Sequence, residues 1–201
     1  MTESEKKIPR RQQILEALAR ELEVNPGERI TTASLARAVG VSEAALYRHF
    51  PSKAKMFEGL IEYIEETIFS LVNQILKDHS SALMRCKNIL SLLLGFSQRN
   101  AGLSRILCGD ILTGETERLR LRVSQFYERL ETQLKQVLRE GEMNGEMKLS
   151  ISVQAQANLF LSLAEGRIVQ FVRSDFKRMP TENWESQWSV LKVIFSSPSE
   201  P

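Results

Sequence analysis

The stretch from Thr31 to Lys53 carries hydroxyl, carboxylate, guanidinium and ammonium groups at spacings that suit contact with a nucleic acid. Guanidinium, ammonium and hydroxyl groups donate hydrogen bonds to phosphate oxygens, and phosphate contacts set the position of a protein on a duplex. A glutamate accepts from cytosine and an arginine donates to guanine, so Glu43 and Arg48 are suited to reading base edges. The residue types therefore predict that this segment binds DNA.

The side chains predicted to contact DNA fall into three groups. Those expected at phosphates, where they fix register, are Thr31, Thr32, Tyr47 and Lys53. Those expected at base edges are Ser42, Glu43, Ala44 and Arg48. A basic arm that includes Arg10 and Arg11 is predicted to reach phosphate or the minor groove, and an ordinary solvated tail is the open alternative.

A helix, a tight turn and a second helix must position these groups. Leu35 and Val39 fall on one face of the first helix, and Gly40 permits a sharp turn after it. Ser42 is a natural N-cap for the second helix. The pattern over 31–50 predicts a helix-turn-helix, in which the second helix lies in the major groove. A helical hairpin without a DNA role is the alternative.

The end of this motif carries a family resemblance. The run Leu46-Tyr47-Arg48-His49-Phe50-Pro51-Ser52-Lys53, with the glycine turn before it, resembles the DNA-binding domain of TetR-family regulators. The resemblance implies an N-terminal three-helix domain joined by a long helix to a helical dimerisation body, and it implies that His49 touches phosphate. Most bodies in this family hold a small-molecule cavity, so a ligand-responsive repressor is one function that the resemblance leaves open.

Segments farther along the chain extend the likeness to the nucleoid-occlusion branch of that family. They are Leu92-Leu93-Leu94-Gly95-Phe96 with Arg99-Asn100, the stretch 133–140, and the stretch 171–177. The likeness implies a cytoplasmic, nucleoid-associated dimer that binds the tubulin-like division GTPase FtsZ. Such a protein blocks FtsZ ring assembly and septum formation over the chromosome.

The FtsZ-binding surface is predicted where the middle of a long helix meets the 92–100 segment. A glycine inside a helix costs about 1 kcal/mol relative to alanine, so Gly95 is expected to permit a close approach. The predicted residues are Tyr63, Leu71, Leu92, Gly95, Arg99 and Asn100. The alternatives are a plain core position for Leu92 and Gly95 and a helix-end cap for Arg99 and Asn100.

The rest of the chain predicts an all-α fold, because apolar residues recur at helical spacing and no segment alternates convincingly as a strand would. We expect a flexible arm at 1–9, the DNA-binding domain at 10–55, and a regulatory, partner-binding and dimerisation domain at 56–201. A coiled-coil-like helix is expected at about 115–141.

Two long amphipathic helices near the C-terminus predict a four-helix contact between two identical chains. The residues predicted for that contact are Phe126, Leu130, Phe160, Ala164, Ile168 and Phe171.

Composition argues against an enzyme, a metal site and a membrane protein. The 201 residues include 27 Lys and Arg against 25 Asp and Glu, and only two histidines, one of them inside the recognition helix. No histidine-based acid, base or zinc cluster and no cofactor is therefore expected. Cys86 and Cys108 predict buried free thiols in a reducing cytoplasm, with a lone disulfide as the alternative.

Overall fold

The computed structural model describes residues 9–25, 30–112 and 117–192. These residues form nine α-helices and one short 3-10 helix without a strand, which confirms the predicted all-α fold. The predicted arm at 1–9 lies outside the described residues except for Pro9, and so does the end of the predicted body beyond residue 192.

The helices of the described residues are numbered in chain order. Their bounds are α1 Arg10–Val24, α2 Thr32–Val39, α3 Glu43–His49, α4 Lys53–Asp78, α5 Ala82–Arg99, α6 Ala101–Cys108, α7 Glu117–Met143, α8 Val153–Arg173 and α9 Trp184–Leu191. The short 3-10 helix spans Asp110–Leu112 and follows α6. Below, α1 to α3 with the start of α4 are called the DNA-binding unit, and the remainder is called the body.

Short polar side chains define where several helices begin. Each caps its helix by accepting a hydrogen bond from the backbone N–H three residues later, which satisfies a donor without an intrahelical partner. The capping residues are Thr31, Ser42, Ser52, Ser81 and Ser152. These helix starts are therefore encoded locally, and a serine or threonine marks each of them.

One hydrophobic core runs from the DNA-binding unit into the body along α4. This helix of 26 residues buries Phe57 and Leu60 near its start and Ile68 and Val72 farther along. In the body α5 and α7 pack against α4, and α8 packs against α5 and α7. The indole of Trp184 closes one side, donating a hydrogen bond of 2.7 Å to the hydroxyl of Ser91. The long helix thus shares buried surface with both parts of the chain.

The six residues predicted for dimerisation lie in the core of the single chain. All six have at most 2 % of their surface exposed, and they are Phe126, Leu130, Phe160, Ala164, Ile168 and Phe171. A side chain without exposed surface has none to bury against a second copy. The contacts assigned to these residues are therefore corrected to intramolecular packing, because the apolar stripes of α7 and α8 face their own chain.

Both cysteines are free thiols in the structure, so the disulfide alternative is not realised. Cys86 is fully buried and Cys108 is half-buried. Burial raises the pKa of each thiol to about 12, and neighbouring carboxylates add to the shift. None of the described helices combines the length and apolar character that crossing a bilayer requires.

Candidate nucleic-acid interface

The turn between α2 and α3 is fixed by local hydrogen bonds. At the start of α2, the Thr31 hydroxyl accepts from the Ser34 backbone N–H at 3.0 Å, and the Ser34 hydroxyl accepts from the Thr31 N–H. At its end Gly40 adopts φ 68° and ψ 42°, a left-handed conformation that favours glycine. The Val41 N–H then donates to the Ala36 carbonyl at 2.9 Å. The chain is thereby turned into α3, as the sequence predicts.

The recognition helix α3 has one buried face and one solvent face. Leu46 and Phe50 are at most 1 % exposed and anchor the helix in the core of the DNA-binding unit. Ser42, Glu43, Ala44, Tyr47, Arg48 and His49 are all exposed. The small Ala44 near the start of the helix leaves its backbone open to close approach. A helix of this shape can present its N-terminal turn to base edges in the major groove.

A hydrogen bond connects the starts of α2 and α3. The Thr32 hydroxyl donates to the Glu43 carboxylate at 2.9 Å. Glu43 lies in the first turn of α3, where the helix dipole favours a negative charge. The carboxylate is therefore held in one place, and its remaining lone pairs stay available to a donor such as the cytosine amino group.

Two cations flank α3 over aromatic rings. The guanidinium of Arg11 lies 4.9 Å from the ring centre of Phe50, and the ammonium of Lys53 lies 5.4 Å from that of Phe57. A ring face attracts a cation and holds its side chain near the protein surface. Because Arg10 and Arg11 are exposed on α1, the basic charge next to α3 comes from two different helices.

The eleven predicted DNA-contact residues are all accessible. Thr32 and Lys53 are half-buried, and the other nine are exposed. The described residues contain no group of three or more histidine, cysteine or acidic side chains able to hold a metal ion. The surface offers hydrogen-bond donors, one carboxylate and several cationic groups to a ligand.

The predicted partner surface is only partly brought together. Tyr63 is 49 % exposed and Leu71 is 38 % exposed on α4. Arg99 is exposed at the end of α5, and its guanidinium covers Gly95, since a Cβ at that glycine would lie 3.4 Å from the Arg99 Nη1. Asn100 donates to the Phe96 carbonyl at 2.8 Å, so it also caps α5. The group that lies against Gly95 is thus the guanidinium of Arg99 in the same chain.

Part of the predicted partner surface lines a cleft of about 450 Å³. Tyr63, Arg99 and Asn100 line it, whereas Leu71, Leu92 and Gly95 do not. Leu60 and Leu103 contribute an apolar floor. An apolar floor with a polar rim suits an extended or helical peptide.

Helix α1 forms the opposite wall of the cleft, which the sequence analysis did not foresee. The residues involved are Gln12, Leu15, Glu16, Ala19, Arg20 and Glu23. Their helical periodicity assigns them to α1, but it carries no information on which distant helix they face. The cleft lies between the DNA-binding unit and the body, so an occupant would contact both.

Comparison with known families covers most of the chain. Residues 14–60 match the model described as bacterial regulatory proteins, tetR family. Residues 77–195 match the SlmA-like model described as tetracyclin repressor-like, C-terminal domain. The first match ends and the second begins within α4.

Similar curated proteins are nucleoid occlusion factors named SlmA. The one from Alteromonas mediterranea is 56 % identical over 190 residues, covering 94 % of this chain and 97 % of the relative. The one from a Marinomonas species is 54 % identical over 188 residues, with 94 % and 95 % covered.

Solved structures of low identity share the fold. The MbdR regulator from Azoarcus superposes with a TM-score of 0.78 at 16 % identity, covering 91 % of this chain and 97 % of that one. A TetR transcription regulator from Haloarcula marismortui gives 0.77 at 19 % identity, with 93 % and 98 % covered.

Proposed function

Since the chain belongs to the SlmA nucleoid occlusion factors within the TetR family, we propose that it binds a near-palindromic DNA site as a homodimer and inhibits FtsZ assembly over the chromosome. The protein is a regulator rather than an enzyme in this proposal, and DNA holds it at the nucleoid.

The observation that carries DNA binding is the solvent face of α3. Its exposed tyrosine, arginine and histidine stand on a helix that is anchored by Leu46 and Phe50. Two copies of such a unit can enter successive major grooves about 34 to 36 Å apart. Thr31, Thr32, Tyr47, His49 and Lys53 are proposed to contact phosphates, where hydroxyl and cationic groups are the usual donors.

Base readout is proposed for the first turns of α3. Glu43 and Arg48 supply the acceptor and the donor, while Ser42 and Ala44 permit close approach. Arg10 and Arg11 are proposed to reach the DNA backbone from the side of α1, because both are exposed and Arg11 lies over the Phe50 ring at the end of α3.

Partner binding is proposed at the cleft between α1, α4 and the end of α5. The exposed ring of Tyr63 and the guanidinium of Arg99 are the groups on its rim best able to anchor a peptide, because aromatic and arginine side chains dominate interface energetics. Leu71, Leu92 and Gly95 extend this proposed surface along α4 and α5 beyond the cleft itself.

Dimerisation is proposed through the outward faces of α7 and α8. Leu121 is 55 % exposed on α7, while Leu159 and Val169 are each 42 % exposed on α8. These apolar groups lie on the sides of the two helices that turn away from the core. Packing two such helix pairs together gives a self-complementary four-helix contact.

The proposal is tested with purified full-length chain in two assays. Footprinting on duplexes selected from a randomised pool measures sequence-specific binding, and co-sedimentation with FtsZ polymers measures partner binding with and without the selected duplex. We expect a protected near-palindrome and DNA-bound chain that reduces the polymer pellet. Binding to the duplex with no effect on FtsZ at any concentration would instead support a ligand-responsive repressor. Failure to protect any duplex at low salt would contradict the DNA-binding function itself.

A further inference from the structure

Helix α6 touches α1 so closely that only a glycine fits. A Cβ placed on Gly102 would lie 2.0 Å from the carbonyl oxygen of Ala19 and 3.1 Å from the backbone nitrogen of Glu23. The two backbones are therefore in direct contact. Because α1 belongs to the DNA-binding unit and α6 to the body, this contact joins the two parts at a second place besides the continuous helix α4.

Arg105 lies one turn beyond that contact and is only 4 % exposed. Its Nη1 donates to the Leu22 carbonyl at 3.0 Å and to the Asn25 carbonyl at 3.3 Å. Its Nε donates to the Asp110 carboxylate at 3.1 Å. The last carbonyls of a helix lack intrahelical partners and carry partial negative charge. A side chain of the body thus caps the C-terminal end of α1.

The same arrangement occurs once more within the body. Arg85 on α5 donates to the Leu76 and His79 carbonyls at the end of α4, at 3.0 and 2.6 Å, and pairs with the Glu140 carboxylate at 2.9 Å. Both arginines cap a helix end in another segment of the chain. They differ in what they join, since Arg85 connects elements of the body whereas Arg105 connects the body to the DNA-binding unit.

Orientation of the DNA-binding unit is the property that Arg105 can control. A unit held by α4 alone could tilt as that helix bends, and the distance between two recognition helices in a dimer would then vary. Buried charged hydrogen bonds are strong and directional, so they fix that orientation. From this geometry, and on the premise of the DNA-binding dimer proposed above, we infer that Arg105 is a positioning residue that sets the half-site spacing the protein accepts.

The experiment measures Kd of the full chain for a selected near-palindromic duplex, for the same duplex with two base pairs inserted between half-sites, and for a single half-site. Two extra base pairs rotate one half-site by about 70° relative to the other. The readout is the ratio of Kd for the inserted duplex to Kd for the parent. A loss of fold stability alone does not change this ratio.

For wild-type protein we expect the insertion to weaken binding strongly. For Arg105→Gln we expect the ratio to fall by about tenfold, equivalent to about 1.4 kcal/mol, with affinity for a single half-site unchanged. Arg105→Lys keeps the charge but loses the planar set of donors, so its Kd ratio should lie between those of the wild type and Arg105→Gln. Asp110→Asn leaves the guanidinium in place and should shift the ratio in the same direction by less.

Arg85→Gln is the matched control, because it removes an equivalent cap without touching the DNA-binding unit. It should lower the unfolding midpoint as Arg105→Gln does and leave the spacing ratio at the wild-type value. A folded Arg105→Gln or Asp110→Asn protein with the wild-type ratio would overturn the inference. A wild-type chain that binds no duplex would overturn the proposed function and this inference together, so the two failures are distinguishable.

Discussion

The hydroxyl of Thr32 and the carboxylate of Glu43 are joined by a hydrogen bond of 2.9 Å, which connects the first turns of α2 and α3 across the glycine turn. The two residues are 11 positions apart, so the bond forms only when the turn has its native shape. The residue proposed to read a base edge is thereby oriented by a residue proposed to contact a phosphate.

Replacing Glu43 with alanine is expected to relax sequence preference at one base-pair position per half-site, by about 1–3 kcal/mol. Thr32→Val should weaken discrimination at the same position by less, because the carboxylate remains but loses its orienting donor. Selection of bound duplexes from a randomised pool measures both. Equal loss of affinity for every sequence in the Glu43→Ala protein would place this residue at a phosphate instead.

Removal of the Lys53 ammonium is expected to weaken binding to matched and scrambled duplexes alike. A lost phosphate contact should also reduce the slope of log affinity against log salt by about 1. Titrations at several salt concentrations measure this. Lys87→Ala is the control, since its ammonium pairs with the Glu185 carboxylate at 2.6 Å in the body. A changed base preference in Lys53→Ala would show that the residue was assigned to the wrong contact.

Two exposed tyrosines form a matched pair on the two proposed surfaces. Tyr47 is 43 % exposed on α3, and Tyr63 is 49 % exposed on α4. Tyr63→Ala should reduce FtsZ co-sedimentation by about tenfold, as expected for an aromatic anchor, and should leave DNA affinity unchanged. Tyr47→Ala should weaken DNA binding and leave FtsZ binding by DNA-free protein unchanged. Identical behaviour of the two variants would refute the separation of the surfaces.

Charge introduced on the outward face of α8 is expected to separate the dimer. Leu159→Glu and Val169→Glu each place two carboxylates, one from each copy, near the proposed four-helix contact. Sedimentation velocity should then show monomers, together with weaker binding to the full palindrome. Met84→Glu, at a residue that is 42 % exposed on α5, is the control and should remain dimeric. A dimer that survives both α8 substitutions would place the interface elsewhere.

Both thiols are expected to resist a thiol-reactive reagent at pH 8 in the native state. Burial raises the pKa of Cys86 from 9.0 to about 12, so its thiolate fraction falls by about a thousandfold. Absorbance after addition of a disulfide reagent should rise only when denaturant is added. Because the pKa of each thiol is raised in the folded state, the unfolded chain ionises first as the pH rises from 9 toward 12. The free energy of unfolding should therefore fall over this pH range. Rapid reaction of native Cys86 would contradict its placement in the core.

Local signals made much of this fold predictable. Ser42 marked the start of the recognition helix, Gly40 marked the turn before it, and the helical spacing of apolar residues marked the all-α fold. Such features depend on residues a few positions apart, which a sequence displays directly. The DNA-contact candidates followed from the residue types within this motif, and none of the eleven is buried in the structure.

Long-range packing was not predictable in the same way. The apolar stripe that includes Phe126 and Phe160 was assigned to a second copy, yet it faces its own chain, since periodicity does not identify the surface that a stripe meets. The same reasoning missed the wall that α1 adds to the partner cleft. It also missed Gly102 and Arg105, whose contacts with α1 span more than 75 positions.

The length of α4 turns small tilts into large displacements. Its 26 residues form a rod of about 39 Å, so a tilt of about 5° at the body end moves the other end by about 3.4 Å, the rise of one base pair. A partner that tilted α4 by this angle on entering the cleft would therefore move each recognition helix along its groove by about one base pair. Under the proposed function, occupation of the cleft and binding of the chromosome would therefore influence each other through the orientation of α4.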